Sequence, residues 1–220
     1  MFIGHYAVAL AAKRAVPKTS LGTLTLAAQW LDLLWPILLL LGIEHVAIAP
    51  GNTRVTPLDF YDYPISHSLL TVLLWAAGFG AVFFALRRNK RAAVVCAVLV
   101  ASHWFLDLLV HRPDLPLTPA ATSSKVGLGL WNTPALSALV ELALYASGVW
   151  LYLRTTRARD AVGRWALWSL LALLLLIGAG AYSATPPPSV GFLSWQALGQ
   201  WLFVAWAYWI DRHRELRPLA

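Results

Sequence analysis

The sequence predicts an all-α fold, a polytopic bundle of about seven transmembrane helices in which the first helix is short. Of the 220 residues, 59% are hydrophobic and 12% are charged, with a mean hydropathy of +0.64. Soluble domains contain about a quarter charged residues, so this composition indicates a membrane protein. Apolar runs near the ~20 residues needed to cross a bilayer also recur along the chain. They fall at about 20–43, 66–88, 91–111, 133–154, 162–183 and 190–211.

The first apolar segment, at about 2–16, is too short to cross the bilayer comfortably unless the membrane thins or the helix is partly re-entrant. Its positive charges, Lys13 and Arg14, follow the apolar part, whereas a cleavable signal peptide has them in front. The sequence shows no internal repeat and no domain boundary, which predicts a single integral membrane domain over residues 1–220. The one cysteine, Cys96, excludes an intrachain disulfide.

The basic residues predict the orientation in the membrane. Seven alternating helices place 14 of the 17 Lys and Arg residues on one side, and only Arg54, Arg112 and Lys125 on the other. The positive-inside rule then predicts an integral cell-membrane protein with its N-terminus outside and its C-terminus in the cytoplasm. Because this distribution accounts for the net charge of +7, we expect no nucleic-acid partner. The sequence leaves the oligomeric state open.

The fourth predicted helix carries three possible metal ligands in an apolar segment. Residues four apart share a helix face, so His103, Asp107 and His111 are predicted to point the same way. Imidazole and carboxylate groups at membrane depth are energetically costly, and they are expected to face the bundle interior and to pair with other groups.

Asp32 is the only charge in the second predicted helix and lies near its middle. Pro36 removes the hydrogen bond to the carbonyl of Asp32, which predicts a kink and a neighbouring wet cavity. The alternative is a kinked helix in which Asp32 only bonds to another helix.

Further polar residues are predicted at the outer ends of other helices. His5 lies about one turn below the outer surface, where an interfacial hydrogen-bonded histidine is the alternative. Ser66 is predicted to cap the third helix, with His67 at its outer end, and Glu141 lies in the outer half of the fifth. We therefore expect His5, Asp32, His67, His103 and Asp107 to surround one pocket and bind a divalent metal.

Mixed imidazole and carboxylate ligands suit zinc, manganese or iron, and zinc is the expected ion. Such a metal would activate water and polarise a substrate oxygen. Glu141 and His111 are candidate catalytic residues that orient a ligand or move a proton.

These residues carry a resemblance to a known family. Gly4-His5, Asp32, Ser66-His67-Ser68 and His103-x-x-x-Asp107 occur in an order that resembles the bacterial predicted membrane-bound metal-dependent hydrolases of the YdjM type. The order of ligands is also similar, more weakly, to that of zinc-dependent phospholipase C, a soluble enzyme. The resemblance covers roughly the first half of the chain.

The chain departs from the family pattern at two places. The family commonly has Asp and His where this chain has Leu34 and Trp35, and it tends to have His where this chain has Asp62. The resemblance makes Asp62 a third candidate catalytic residue and implies fewer ligands than the family set.

Three functions remain open on the sequence. The favoured one is a metal-dependent hydrolase acting on a lipid-like or phosphoester substrate that enters from the outer leaflet. The second is a proton- or ion-coupled transporter, although the internal repeats common in transporters are absent from the sequence. The third is a structural membrane protein with a hydrogen-bonded polar core.

Overall fold

Each of the seven apolar segments is helical in a computed structural model, which describes residues 1–183 and 185–218. Two of the segments are broken into a pair of helices. The helices are α1 (Ile3–Ala15), α2 (Leu21–Ala28), α3 (Trp30–Leu40), α4 (Pro64–His67), α5 (Leu69–Arg87), α6 (Lys90–Val110), α7 (Pro134–Thr155), α8 (Ala161–Gly180), α9 (Val190–Leu198) and α10 (Gln200–Arg212).

Fewer helices can cross a membrane than the sequence predicted. Within the described residues, α5, α6, α7 and α8 are long and apolar enough to span it, and the bent pair of α2 and α3 counts as a fifth span if taken together. The expectation of about seven spans is therefore corrected to four or five. The outer faces of the long helices carry exposed apolar side chains such as Leu74 and Leu86 on α5 and Leu176 on α8, which suits contact with lipid.

Helix α1 is buried inside the bundle. Its 13 residues extend only ~20 Å, and they pack against α2, α6, α7 and α8. The contact with α7 is close because Gly148 has no side chain: a Cβ there would lie 2.3 Å from the carbonyl oxygen of Ala7. This close approach fixes α1, and with it His5, in the centre of the molecule.

The second apolar segment is broken at Gln29, where α2 and α3 meet at an angle of 56°. The kink expected at Pro36 is therefore found seven residues earlier, and α3 continues through the proline. As a result Asp32 lies in the first turn of α3, where the positive end of the helix dipole favours a carboxylate.

Three short antiparallel strand pairs lie at the two ends of the bundle. Strands β1 (His45–Ile48) and β2 (Leu58–Asp62) pair with a bulge between His45 and Ala47. Strands β3 (Leu115–Pro116) and β4 (Lys125–Val126) form a second pair, and a short 3-10 helix (Leu130–Asn132) precedes α7. At the opposite end, β5 (Thr156–Ala158) pairs with β6 (Arg214–Leu216).

Candidate metal centre

Five polar side chains from four helices meet at the end of the bundle that lies opposite β5 and β6. These side chains form two groups of three, and both groups contain His103. Within each group the three possible ligand atoms lie within 4.8 Å of one another. One consists of His5, His103 and Asp107, and the other of Asp32, His67 and His103. The structure therefore brings together all five residues expected to surround the pocket.

His103 is oriented by the backbone at the break between α2 and α3. Its Nδ1 lies 2.8 Å from the carbonyl oxygen of Ala28, which can only accept a hydrogen bond. In the neutral ring Nδ1 therefore carries the proton and Nε2 the lone pair. Nε2 is buried and has no hydrogen-bond partner among the described residues, although it lies 3.3 Å from Asp107 Oδ2 and 3.5 Å from Asp32 Oδ1.

A buried chain of hydrogen bonds also places the proton of the His67 ring on Nδ1. The Ser66 hydroxyl donates to Glu44 Oε2 at 2.6 Å and lies 2.7 Å from His67 Nδ1. Because the hydroxyl has one proton and gives it to the carboxylate, it accepts from His67 Nδ1–H. The Nε2 lone pair of His67 then points to Asp32 Oδ1 at 3.7 Å and to Asp107 Oδ2 at 3.8 Å.

The two oxygens of Asp107 have different surroundings. Oδ1 accepts from the α-amino group of Met1 at 2.5 Å and lies 3.1 Å from His5 Nε2. Oδ2 faces His67 and His103. Because the hydrogen bonds to Oδ1 fix the carboxylate, Oδ2 is held between the two imidazoles.

The nitrogen to oxygen separations between the facing atoms are close to those between ligands of a metal ion. The four nitrogen to oxygen distances, 3.3, 3.5, 3.7 and 3.8 Å, exceed the 2.7–3.2 Å typical of an N–H···O hydrogen bond. Ligands bound at ~2.0–2.1 Å in a tetrahedron lie ~3.3–3.4 Å apart. Two imidazole nitrogens and two carboxylate oxygens are also a donor set that zinc accepts.

His5 lies beside this set of four atoms. Its ring stacks on that of His103, with centroids 3.6 Å apart and an interplanar angle of 5°. Its Nδ1 is buried without a hydrogen-bond partner in the described chain. The stacked ring prevents His103 from tilting away from the carboxylates.

Glu141 holds the first turn of α1. Its Oε2 accepts hydrogen bonds from the backbone N–H groups of Phe2 and Ile3, both at 3.0 Å. These N–H groups have no partner within the helix, so the carboxylate acts as a buried cap. Glu141 therefore acts on the site through the position of α1.

His111 lies outside the cluster because α6 ends one residue before it. Helix α6 stops at Val110, ahead of the Arg112-Pro113 pair, and His111 has an extended backbone. The expectation that His111 shares the face of His103 and Asp107 is therefore wrong. Its Nδ1 instead donates to Asp114 Oδ1 at 2.9 Å.

The ring of Tyr63 separates His111 from His67, with centroid distances of 6.3 and 5.1 Å respectively. Burial, followed by the charge of Asp114, raises the pKa of Tyr63 well above its ordinary value. The hydroxyl stays protonated and donates to Asp114 Oδ1 at 3.2 Å. His111, Tyr63 and Asp114 thus form an ordered layer next to the cluster.

Asp62 lies at the end of β2, and the structure does not bring it to the cluster. Its Oδ2 is 2.7 Å from His45 Nδ1 in an ion pair whose two side chains are both more than 40% exposed. Asp62 is therefore in contact with solvent and makes no contact with the five clustered residues.

The YdjM inner membrane protein family matches residues 61–186, which is more than half of the chain. The chain belongs to this family. No curated protein and no solved structure matches it. The part that matches the YdjM family includes His67, His103 and Asp107, while His5 and Asp32 precede it.

Three contributions to the site were missed in the sequence. The sequence alone does not identify Glu44, and it predicts Ser66 as the cap of the third helix, whereas the cap of α5 is Ser68. The carbonyl of Ala28 has no sequence signal at all. Glu44 and Ser66 are 22 residues apart, and no helical or strand periodicity links two residues at that spacing.

We expect Glu141→Ala to destabilise the protein and Glu141→Gln to leave it close to wild type. The alanine leaves two N–H groups of α1 without an acceptor, and each unsatisfied buried group costs ~1–3 kcal/mol. The glutamine retains an oxygen that accepts both bonds. Thermal unfolding of the three purified proteins in one detergent measures the difference, and equal losses in both variants would contradict the capping role.

Proposed function

We propose that this YdjM family member is a membrane-embedded, metal-dependent hydrolase that binds one zinc ion. The observation that carries the proposal is the Nε2 atom of His103, which is buried and unpartnered in the described chain while facing two carboxylates. An unpaired buried lone pair costs free energy, and a cation between these groups would relieve that cost. The family assignment supports the inner membrane as its location.

The residues that would hold the ion are His67, His103, Asp32 and Asp107. Glu44 and Ser66 set the tautomer of His67, and the Ala28 carbonyl sets that of His103. Hydrogen bonds to the second ring nitrogen are what typically orient metal-bound histidines. Leu34 and Trp35 are apolar where the family commonly has two more ligands, so we propose a single ion.

A bound divalent ion would polarise a substrate oxygen and lower the pKa of water at the site. Asp32 is the most accessible of the four proposed ligands, with 24% of its side chain exposed against 6% or less for the others. Substrate and water therefore reach the cluster at Asp32. Its Oδ1 faces the two imidazoles, and its Oδ2 is the atom best placed to accept a proton from attacking water.

The surroundings favour a lipid-like substrate. A cavity of about 400 Å³ between α7 and α8 is lined almost entirely by apolar side chains and ends at Ile3 and Glu141. Ile3 and Glu141 are joined by the hydrogen bond that holds the first turn of α1, so an acyl chain in this cavity would lie against the helix that carries His5.

We propose the orientation in which the cluster lies towards the outer leaflet, with the N-terminus outside and the C-terminus in the cytoplasm. The support is a concentration of cations at the opposite end of the bundle, where Arg14, Lys18, Arg91, Arg154, Arg157 and Arg217 line one cavity, because basic residues mark the cytoplasmic side. The substrate then enters from the outer leaflet.

Wild-type protein purified without chelator should contain about one zinc ion per chain, and His103→Ala or Asp107→Ala should lose both the ion and hydrolysis of a chromogenic phosphoester. Each variant removes one of four ligands from a buried site. Metal is measured by mass spectrometry, after circular dichroism and gel filtration have established folding. Asp62→Ala, which changes an exposed carboxylate outside the cluster, is the control and should keep its metal.

A wild-type protein without stoichiometric transition metal would overturn this proposal. The same result would favour the alternatives, in which the buried groups relay protons in a transporter or stabilise a structural protein. Full zinc content in His103→Ala would contradict the proposed ligand set.

The Ser66→Ala substitution should weaken zinc binding by ~10- to 100-fold, the range typical when the group that orients a metal-bound histidine is lost. The substitution leaves His67 in place and removes only the hydroxyl that fixes its ring. Ser68→Ala is a matched control two residues away, because Ser68 caps α5 and its hydroxyl bonds to Thr71. Competition with a zinc-binding dye gives both affinities, and equal zinc affinity in Ser66→Ala and wild type would contradict the role of the hydroxyl.

A further inference from the structure

The end of the bundle opposite the proposed metal centre holds a cavity of about 890 Å³. Four separate segments enclose it: the turn between α1 and α2, the start of α6, the end of α7 and the residues around the end of β6. Six of its lining side chains are cationic, and none of the described lining residues is acidic. The cationic residues are Arg14, Lys18, Arg91, Arg154, Arg157 and Arg217.

Most of these charges are not compensated within the protein. Arg14, Lys18 and Arg91 make no hydrogen bond or ion pair with any described residue, and their side chains are exposed. Arg154 lies over the ring of Trp150, with its guanidinium carbon 5.6 Å from the ring centroid. Like charges around one cavity repel one another, so an anion placed there would relieve the repulsion.

Two of the cations have partners that hold them in place. Arg157 on β5 pairs with Glu215 on β6 at 2.7 Å. Arg217 donates from Nε to the carbonyl oxygens of Leu153 and Thr156. The terminal nitrogens of Arg217 stay available, so this side of the cavity presents a fixed guanidinium group, which is the geometry that binds phosphate oxygens well.

Apolar groups beside these charges indicate the depth of the cavity in the membrane. Trp150 is 57% exposed and lines the cavity, as does the partly exposed Leu216. Trp is enriched at the level of lipid headgroups, and α7 continues from Trp150 into the apolar span. The cavity therefore combines cations with apolar side chains at the end of a membrane-spanning helix.

We infer that this cavity binds the headgroup of an anionic phospholipid that carries two phosphate groups. Basic pockets between membrane helices bind such headgroups. The cavity volume lies within the ~300–1,000 Å³ of pockets that enclose whole small ligands, so it accommodates more than one phosphate. Six cations likewise exceed what a single phosphate needs, and the bound lipid would bridge the four segments.

The test compares two triple variants of the 220-residue protein. Each variant loses three positive charges from the basic end of the bundle. Arg14→Gln/Arg91→Gln/Arg154→Gln removes three cavity cations that make no hydrogen bond to a described residue. Arg87→Gln/Lys90→Gln/Arg212→Gln removes three exposed cations that do not line the cavity. Native mass spectrometry in neutral detergent measures binding of cardiolipin, and pyrophosphate serves as the soluble probe with the same number of phosphate groups.

The wild-type protein should bind one cardiolipin saturably, and the cavity variant should bind it about 100-fold more weakly, as expected when three charge-assisted hydrogen bonds are lost. The affinity of the matched variant for cardiolipin should fall less than about tenfold, because this variant loses only non-specific electrostatic attraction to the lipid. The single variant Arg91→Gln, at an exposed site, should show an intermediate loss and provides the test if the triple variant misfolds.

Equal losses in the two triple variants, or no saturable cardiolipin binding, would overturn the inference. Displacement of cardiolipin by pyrophosphate at equal concentration would also overturn it, because the site would then recognise a soluble anion.

Discussion

Asp107 is the carboxylate around which the five-residue cluster is built. Charge at this depth in an apolar bundle is unfavourable unless each oxygen has a partner. Oδ1 is satisfied from α1, while Oδ2 faces two imidazoles whose other nitrogens are already bonded. Several features of the fold serve this arrangement: α1 is buried and held by Glu141, α2 and α3 separate at Ala28, and the loop before α4 brings in Glu44.

Much of this arrangement was predictable from residue chemistry and helical spacing. His103 and Asp107 are four residues apart on one helix, and buried ionisable residues need partners, which was enough to bring His5, Asp32 and His67 into the same pocket. The family was also predictable, since short motifs in a fixed order carried the resemblance that the YdjM match confirms.

The remaining features depend on tertiary contacts that leave no periodic pattern. The break at Gln29 is not at the proline that predicted a kink, and it occurs where His103 bonds to the backbone. The position of His111 depended on where α6 ends, a boundary of one residue. The number of spans was overestimated because hydropathy does not distinguish a helix buried in protein, such as α1, from one that faces lipid.

Helix α1 connects the two ends of the molecule. His5 in its first turn lies in the cluster proposed to bind metal, and Arg14 at its other end lines the basic cavity. Gly148 lets α7 approach the backbone of α1, and α7 itself carries Glu141 at one end and Arg154 at the other. A lipid at the basic end would therefore brace the same two helices that position His5 and its neighbours.

X-ray absorption at the zinc edge of the purified protein tests the proposed metal centre most directly, because it reports the atoms bound to the ion. A single shell of four nitrogen and oxygen donors at ~2.0–2.1 Å, with two imidazoles, is the predicted result. Replacement of His67 by Ala should reduce the imidazole contribution to one ring. A spectrum with sulfur from Cys96, without imidazole, or without protein-bound zinc would contradict the account.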